Sequence, residues 1–211
     1  MSSGPTAVRT TRRGAGDLKA AILRQARRLY LAGGIEAVSA RKIAQGVGVS
    51  ATTIYLHFRS IDDLLDHLRM EGHGVLATYL GGVDATLPAL DGIRAMGRAY
   101  HRFGLENRGW FALMFPSHVT APPRREAVQR EMFTLMLLRD RVQRGIDAGD
   151  IRRDLDVMVA TNALWAQIHG VTALTVAGLL VQTADGHADA VLETMLDGIE
   201  RWLAAPDEEH R

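Results

Sequence analysis

A short pattern between residues 39 and 58 restricts the fold of this chain more than any other feature. Ala44 is followed four positions later by Gly48 and ten positions later by Ile54. A small residue lets one helix approach another closely, and glycine accepts the positive φ angle of a tight turn at little cost. The spacing therefore predicts two short, tightly crossed helices, with branched apolar residues such as Ile43 fixing the crossing angle.

Serines and basic residues surround this pattern. Ser39 and Ser50 stand where the two helices would begin, and serine is a preferred N-cap residue. Residues 1–60 carry ten basic and two acidic residues, whereas the rest carries 15 and 22, for a net charge of +1. This imbalance is typical of a segment that meets a polyanion, although a solvated run of charges gives the same count. Inside such a segment, the pattern indicates a DNA-binding helix-turn-helix.

The second of these helices is expected to be the recognition helix. Its first residues would lie against base edges in the major groove, and threonine contacts bases through its hydroxyl or methyl group. This segment has no Arg, Asn or Gln for a bidentate purine contact, so we expect weak base readout per residue. Arg41 and Lys42 are expected to reach phosphates or base edges. The candidate DNA-binding residues of this pattern are Ser39, Arg41, Lys42, Ser50, Ala51, Thr52 and Thr53.

Residues 17–68 resemble the N-terminal domain of the tetracycline-repressor (TetR) family. The resemblance rests on the helix-turn-helix, on the signature Ile54-Tyr55-Leu56-His57-Phe58 that follows directly, and on a further helix opened by Ser60, Asp62 and Asp63. It implies a DNA-binding regulator in which Thr52, Thr53, Tyr55 and His57 contact DNA, the last two mainly at phosphates. It also places Leu56 and Phe58 in the core.

Two residues of this signature have an alternative interpretation, and one residue after it differs from the family. Tyr55 could instead be a packing residue with a wet hydroxyl, and His57 an ordinary surface histidine. Ile61 stands where the family usually has a lysine that contacts phosphate. Binding is then expected to be weaker and less dependent on salt, unless Arg59 or the arginines of the N-terminal arm compensate.

Helical periodicity without β alternation predicts an all-α chain of about nine helices. Asp17 is a plausible N-cap of the first helix and Gly33-Gly34 a plausible stop, whereas Gly72, Gly74, Gly81 and Gly82 suggest a hinge or loop. We expect a disordered basic arm at 1–16, a three-helix helix-turn-helix domain at 17–70, and a helical ligand-binding and dimerisation domain at 71–211. The later helices are predicted at 88–107, 109–115, 123–148, 154–182 and 186–204.

Aromatic and methionine side chains are concentrated in the C-terminal part of the chain. Such residues at helical spacing are usually core, but pockets between helices are lined by the same types with a few polar groups. His169 fits either a satisfied core histidine or a pocket residue. The candidate ligand-binding residues are His101, Phe103, Trp110, Phe111, Met114, Phe115, Met132, Met136, Trp165 and His169.

Residues 157–181 contain no charged side chain, a length sufficient to span a bilayer. The polar Asn162, Gln167 and His169, and the lack of a second span, favour instead a helix buried against both a ligand core and a partner subunit. The element Trp165-Ala-Gln-Ile-His169-Gly170 resembles a TetR subgroup with a Trp-x-x-x-His-Gly motif. That resemblance implies a homodimer formed through the last two helices.

Several function classes find no support in the sequence. There are no cysteines, no nucleophile elbow and no glycine-rich phosphate loop, so no catalytic residue, cofactor or enzyme activity is expected. His67 and Glu71 share a helix face, but a solvated pair explains them better than a metal site, and no metal is expected.

We therefore expect a cytoplasmic homodimeric repressor, without a signal peptide, released from a palindromic double-stranded DNA operator by a small, largely apolar effector. An activator or a ligand-independent regulator remains an alternative, and a helical enzyme, carrier or membrane-associated protein a less favoured one.

Overall fold

A computed structural model describes residues 15–115, 132–181 and 186–205 of the chain. Within these ranges the chain forms nine α-helices and no strand, which confirms the all-α prediction. The arm expected at 1–16 lies outside the described residues, except that Ala15 and Gly16 belong to the first helix. The helices are α1 (Ala15–Gly33), α2 (Ala40–Val47), α3 (Ala51–His57), α4 (Ile61–Gly81), α5 (Ala89–Glu106), α6 (Arg108–Met114), α7 (Phe133–Ala148), α8 (Val157–Ala177) and α9 (His187–Leu203).

The chain divides into two compact units between Leu68 and Arg69, within α4. In the first unit, α2 packs against both α1 and α3. Asp17 lies in the first turn of α1 rather than at its N-cap, and α1 ends as expected, with Gly34 at a positive φ of 65°. The fully buried apolar side chains of this unit include Ile22, Ala26, Ile43, Ile54, Phe58, Leu64, Leu65 and Leu68.

Helix α4 corrects the prediction of a glycine hinge at residues 72–82. The helix continues without interruption to Gly81, and only Gly82 lies in the following turn. Gly72 is buried, and a Cβ atom at this position would lie 2.8 Å from the Met114 sulfur. The missing side chain at Gly72 therefore permits close packing, whereas Gly74 is exposed with no atom near its Cβ position.

The second unit is a helical bundle in which α5 packs against α7, α8 and α9. Helix α8 is shorter than the predicted 154–182 because the Asp156 carboxylate caps its start and Gly178, at a φ of 68°, ends it. The buried Arg141 of α7 donates hydrogen bonds to the carbonyl oxygens of Asp84 (2.9 Å) and Leu87 (3.0 Å). These bonds hold the connection between α4 and α5 against the bundle.

Candidate nucleic-acid interface and ligand cavity

Helices α2 and α3 form the predicted helix-turn-helix. Gly48 adopts φ 80° and ψ 38°, and its N–H donates to the carbonyl of Ala44 over 2.9 Å. Ser39 Oγ accepts the N–H of Lys42 (3.3 Å), and Ser50 Oγ accepts that of Thr53 (3.2 Å). Both serines are therefore N-caps, and Gly48 ends α2 in the left-handed conformation that glycine adopts without strain.

The predicted DNA-binding residues lie on the accessible side of this motif. Ser39, Thr53 and His57 are half-buried, and Tyr55 is 53% exposed, so Tyr55 is not a packing residue. The Thr53 hydroxyl lies 2.8 Å from Ser50 Oγ. DNA contact by these residues stays a prediction. The exposed members of the set are Arg41, Lys42, Ser50, Ala51, Thr52 and Tyr55.

Leu56 corrects one expectation and Phe58 confirms another. Leu56 is 78% exposed, although a core position was expected. It follows the exposed Thr52 by four residues and so shares its outward face, whereas Ile54 points into the core. Phe58 is buried as expected, with its ring in T-shaped contact with His67 at a centroid distance of 5.2 Å.

The start of α4 is well defined although Ile61 replaces the expected lysine. The N–H of Asp63 donates to Ser60 Oγ (3.0 Å), and the Asp63 carboxylate accepts the N–H of Arg59 (2.9 Å). Further along, His67 Nδ1 donates to the Asp63 carbonyl (2.8 Å), and Nε2 accepts from the Lys19 ammonium group (3.1 Å). His67 is thus a half-buried packing residue rather than half of a solvated pair.

The second unit contains a cavity of about 320 Å³. Helices α4 to α9 all contribute to its wall, and the side chains that line it are mostly aliphatic, aromatic or methionine. The lining residues are His73, Leu76, Leu80, Ile93, Met96, Gly97, Tyr100, Met114, Phe115, Met132, Thr134, Leu135, Leu138, Asn162, Leu164, Trp165, Ile168, Leu196 and Ile199.

Four of the ten predicted ligand-binding residues line this cavity and six do not. Phe103 is fully buried against the Tyr79 ring, and His101 Nδ1 lies 3.2 Å from Thr172 Oγ1, so both point to other parts of the core. Met136 is half-buried outside the lining. The residues in the lining are Met114, Phe115, Met132 and Trp165, and those outside it are His101, Phe103, Trp110, Phe111, Met136 and His169.

His169 lies in the aromatic layer behind the lining. Its Nδ1 is hydrogen-bonded to the Tyr100 hydroxyl (2.9 Å), and its ring stacks on Phe111 at 5.3 Å. Burial lowers the pKa of His169 and raises that of Tyr100. Of the two roles left open by the sequence, the structure favours the core histidine, which orients a tyrosine of the cavity wall.

Sequence reasoning missed the polar pair formed by His73 and Thr134. His73 is 4% exposed, and its Nδ1 lies 3.2 Å from Thr134 Oγ1. Burial lowers the pKa of His73 to about 4, so the imidazole is neutral at physiological pH. The spacing of His73, Leu76 and Leu80 is that of one helix face and could have revealed the pair, but the adjacent glycines suggested a loop instead.

No helix in the described ranges is long and apolar enough to cross a membrane. Within the same ranges, no group of three or more His, Cys, Asp or Glu side chains is arranged to hold a metal ion. An exposed helix-turn-helix on one compact unit and an apolar cavity in the other define the class of ligand-responsive DNA-binding regulators.

Two family models match this chain, one in each of its two units. The model of bacterial regulatory proteins of the tetR family matches residues 22–68, and the model of the tetracyclin repressor-like C-terminal domain matches residues 93–199. The chain therefore belongs to the tetR family, whose members are transcriptional regulators and not enzymes. No curated protein matches the chain.

Solved structures share the fold over nearly their whole length. A protein of unknown function from Rhodococcus sp. RHA1 has a TM-score of 0.75 and 25% identity, covering 93% of this chain and 100% of that one. A putative tetR family transcription regulator from Shewanella sp. PV-4 has a TM-score of 0.69 and 16% identity, and the match covers 90% of this chain and 99% of that one. The transcriptional regulator FadR from Bacillus subtilis, in complex with stearoyl-CoA, has a TM-score of 0.66 and 20% identity. The match covers 85% of this chain and 98% of that one.

Proposed function

We propose that this regulator is a homodimeric repressor that binds a palindromic operator and is released by a small, largely apolar molecule in the cytoplasm. Residues 17–70 would bind DNA, and residues 71–211 would bind the effector and dimerise. The observation that carries the proposal is the capped, solvent-exposed α2–turn–α3 motif on a basic unit. Between Ala15 and Ser60 that unit has seven basic and two acidic side chains.

The residues at the start of α2 and α3 would form the DNA interface. Lys42 and Arg41 would neutralise phosphates, and the exposed Thr52 would reach base edges as α3 enters the major groove. Tyr55, with an accessible hydroxyl, would donate to a phosphate oxygen. Leu56 would add an apolar side chain beside Thr52, suited to a thymine methyl group.

The homodimer would form through α8 and α9. Val159 and Leu174 of α8 are 68% and 43% exposed in a helix that contains no Lys, Arg, Asp or Glu. Apolar side chains exposed on such a helix are typical of a surface covered by another subunit. The Trp165 and His169 rings contact each other at 5.6 Å, which supports assignment to the subgroup with a Trp-x-x-x-His-Gly motif.

Helix α4 would couple effector binding to DNA release. Its first half supplies Leu64 and Leu68 to the core of the helix-turn-helix unit, and its second half supplies His73, Leu76 and Leu80 to the cavity wall. An effector that favours a different position of the second half would shift the recognition helices, because both parts belong to one continuous helix.

The test is binding of a fluorescent fragment of the gene's own promoter, followed by anisotropy at several salt concentrations. Wild-type affinity should fall steeply with salt, and Tyr55→Phe and Lys42→Ala should weaken binding by about fivefold to fiftyfold, the loss of one phosphate contact each. The control is Leu31→Ala, at an exposed position near the end of α1 and outside the proposed DNA interface. Wild-type affinity in both interface variants would contradict the proposed interface.

The dimer is tested separately by sedimentation. Val159→Asp and Leu174→Asp should shift the protein from dimer to monomer at micromolar concentration, because they bury an unpaired charge in the interface. The control is Asp91→Ala on α5, which changes an exposed residue outside the proposed interface. This variant should remain a dimer. A dimer that tolerates both α8 changes would contradict this interface.

A further inference from the structure

The cavity wall carries no formal charge. Its lining residues, all within the described ranges, include no Lys, Arg, Asp or Glu. An ionised ligand group that entered would lose its hydration without gaining a partner of opposite charge, which costs several kilocalories per mole or forces the group to neutralise. The wall therefore selects against carboxylates, phosphates and ammonium groups.

Most polar side chains of the wall have a partner in the protein, but His73 Nε2 is buried without a hydrogen-bond partner among the described residues. The His73 imidazole is bonded to Thr134, the Tyr100 hydroxyl to His169, and the Asn162 amide donates to the Met158 carbonyl at 2.8 Å. Because burial lowers the pKa of His73 to about 4 and raises that of Tyr100, neither side chain becomes charged near neutral pH. Apart from His73 Nε2, which one neutral hydroxyl group of a ligand can bond, the described wall offers a ligand mainly hydrocarbon contacts.

The volume sets the size of the occupant. A cavity of roughly 150 Å³ holds one benzene molecule, so about twice that volume holds on the order of a dozen non-hydrogen atoms. The cavity of 320 Å³ is thus too small to hold a whole coenzyme A thioester, and its described lining residues include no cationic side chain for such a headgroup.

We propose that the effector is an uncharged, predominantly hydrocarbon molecule of about a dozen non-hydrogen atoms, and that the cavity rejects carboxylates and coenzyme A thioesters of the same chain length. The regulatory role of this ligand rests on the proposed function, whereas its binding to the cavity can be measured without DNA. The ligand lies against Leu76, Met96, Leu164 and Ile168, in the cavity that is also lined by the polar His73–Thr134 pair.

The experiment is calorimetric titration of the full-length protein with 1-decanol, decanoate and decanoyl-CoA at pH 8 and pH 6. At pH 8, 1-decanol should bind at least about 100-fold more tightly than decanoate, because the acid enters only in its protonated form. The affinity for decanoate should rise by up to about tenfold per unit fall in pH, whereas that for 1-decanol should stay constant. Decanoyl-CoA should not bind at either pH.

A pair of methionine variants shows where the probe binds. Met96→Trp fills the cavity and should abolish 1-decanol binding, whereas Met136→Trp, on a half-buried side chain outside the lining, should leave it unchanged. Thermal unfolding checks that both variants are folded, and Leu138→Phe, at a half-buried lining position, replaces Met96→Trp if that variant unfolds.

Three results would overturn the inference: no 1-decanol binding, decanoate binding as tight as 1-decanol at pH 8, or full binding in the folded cavity-filling variant. Promoter binding is measured in parallel without any probe. If promoter binding persists while the probes fail, the ligand class is wrong and the proposed function stands. If the probes bind but promoter DNA does not, the proposed function is wrong and the ligand class stands.

Discussion

Replacement of Gly104 by alanine should destabilise the protein, whereas the same replacement at Gly74 should stabilise it. A Cβ atom at Gly104 would lie 2.4 Å from Thr172 Cγ2, about an ångström closer than ordinary contact, and 3.3 Å from the Phe111 ring. Thr172 has no room to move, because it is fully buried and its hydroxyl donates to the Ile168 carbonyl (2.8 Å). No atom lies within 4 Å of a Cβ at Gly74.

The magnitudes follow from these distances. Alanine is favoured over glycine inside a helix by about 0.8–1 kcal/mol, and this gain applies at both positions. Overpacking at Gly104 costs about 1–3 kcal/mol, which should leave a net loss of up to about 2 kcal/mol, while Gly74→Ala should gain about 0.5–1 kcal/mol. For a chain of this size, each kilocalorie corresponds to a shift in Tm of about 2–4 °C.

Urea and thermal unfolding of the two variants, each compared with wild type, provide the assay. A loss of stability in Gly74→Ala would contradict the assignment of this residue to a continuous α4 and would restore the hinge interpretation. A gain in Gly104→Ala equal to that in Gly74→Ala would contradict the close packing of α5 against α8.

Two further predictions follow from burial. Leu56→Ala should change the free energy of unfolding by less than about 0.5 kcal/mol, because Leu56 is exposed, whereas Ile54→Ala should cost about 2–5 kcal/mol in the same urea titration; equal effects would contradict the orientation of α3. The pKa of His73 is about 4 in the folded protein and about 6.5 in the unfolded chain. Between these two values the unfolded chain binds more protons, so acidification favours unfolding. The contribution of His73 to stability is present above pH 6.5 and is lost as pH falls towards 4, so His73→Gln should lose less stability than wild type between pH 7 and pH 5; an identical pH profile would exclude this contribution.

The helix-turn-helix could be predicted from the sequence because its determinants are local. The serine caps, the positive φ of Gly48 and the apolar residue at Ile54 all act within 20 residues of one another. The exposure of Leu56 was not predicted, because its core position was inferred from the family signature, and a helix of about two turns is too short for periodicity to show which side faces the core. Glycines misled the prediction for α4, where Gly72 serves the packing of Met114 from a distant part of the chain.

The cavity was only partly predictable because its lining depends on contacts between distant helices. Helix α5 is buried on more than one side, so periodicity alone does not separate Tyr100, which lines the cavity, from Phe103, which packs against Tyr79. The partners of His73 and His169 lie 61 and 69 residues away in sequence. Such pairings become visible only in the folded chain.

DNA binding by α2 and α3 is tested by a hydroxyl-radical footprint of the purified protein on DNA selected from a random pool. Two symmetric protected patches are expected in an inverted repeat, with centres about one helical turn apart, or roughly 34–36 Å. Substitution of Lys42 and Tyr55 should remove both patches together. The absence of any selected sequence, or protection that persists in the doubly substituted protein, would contradict the claim that α2 and α3 bind DNA.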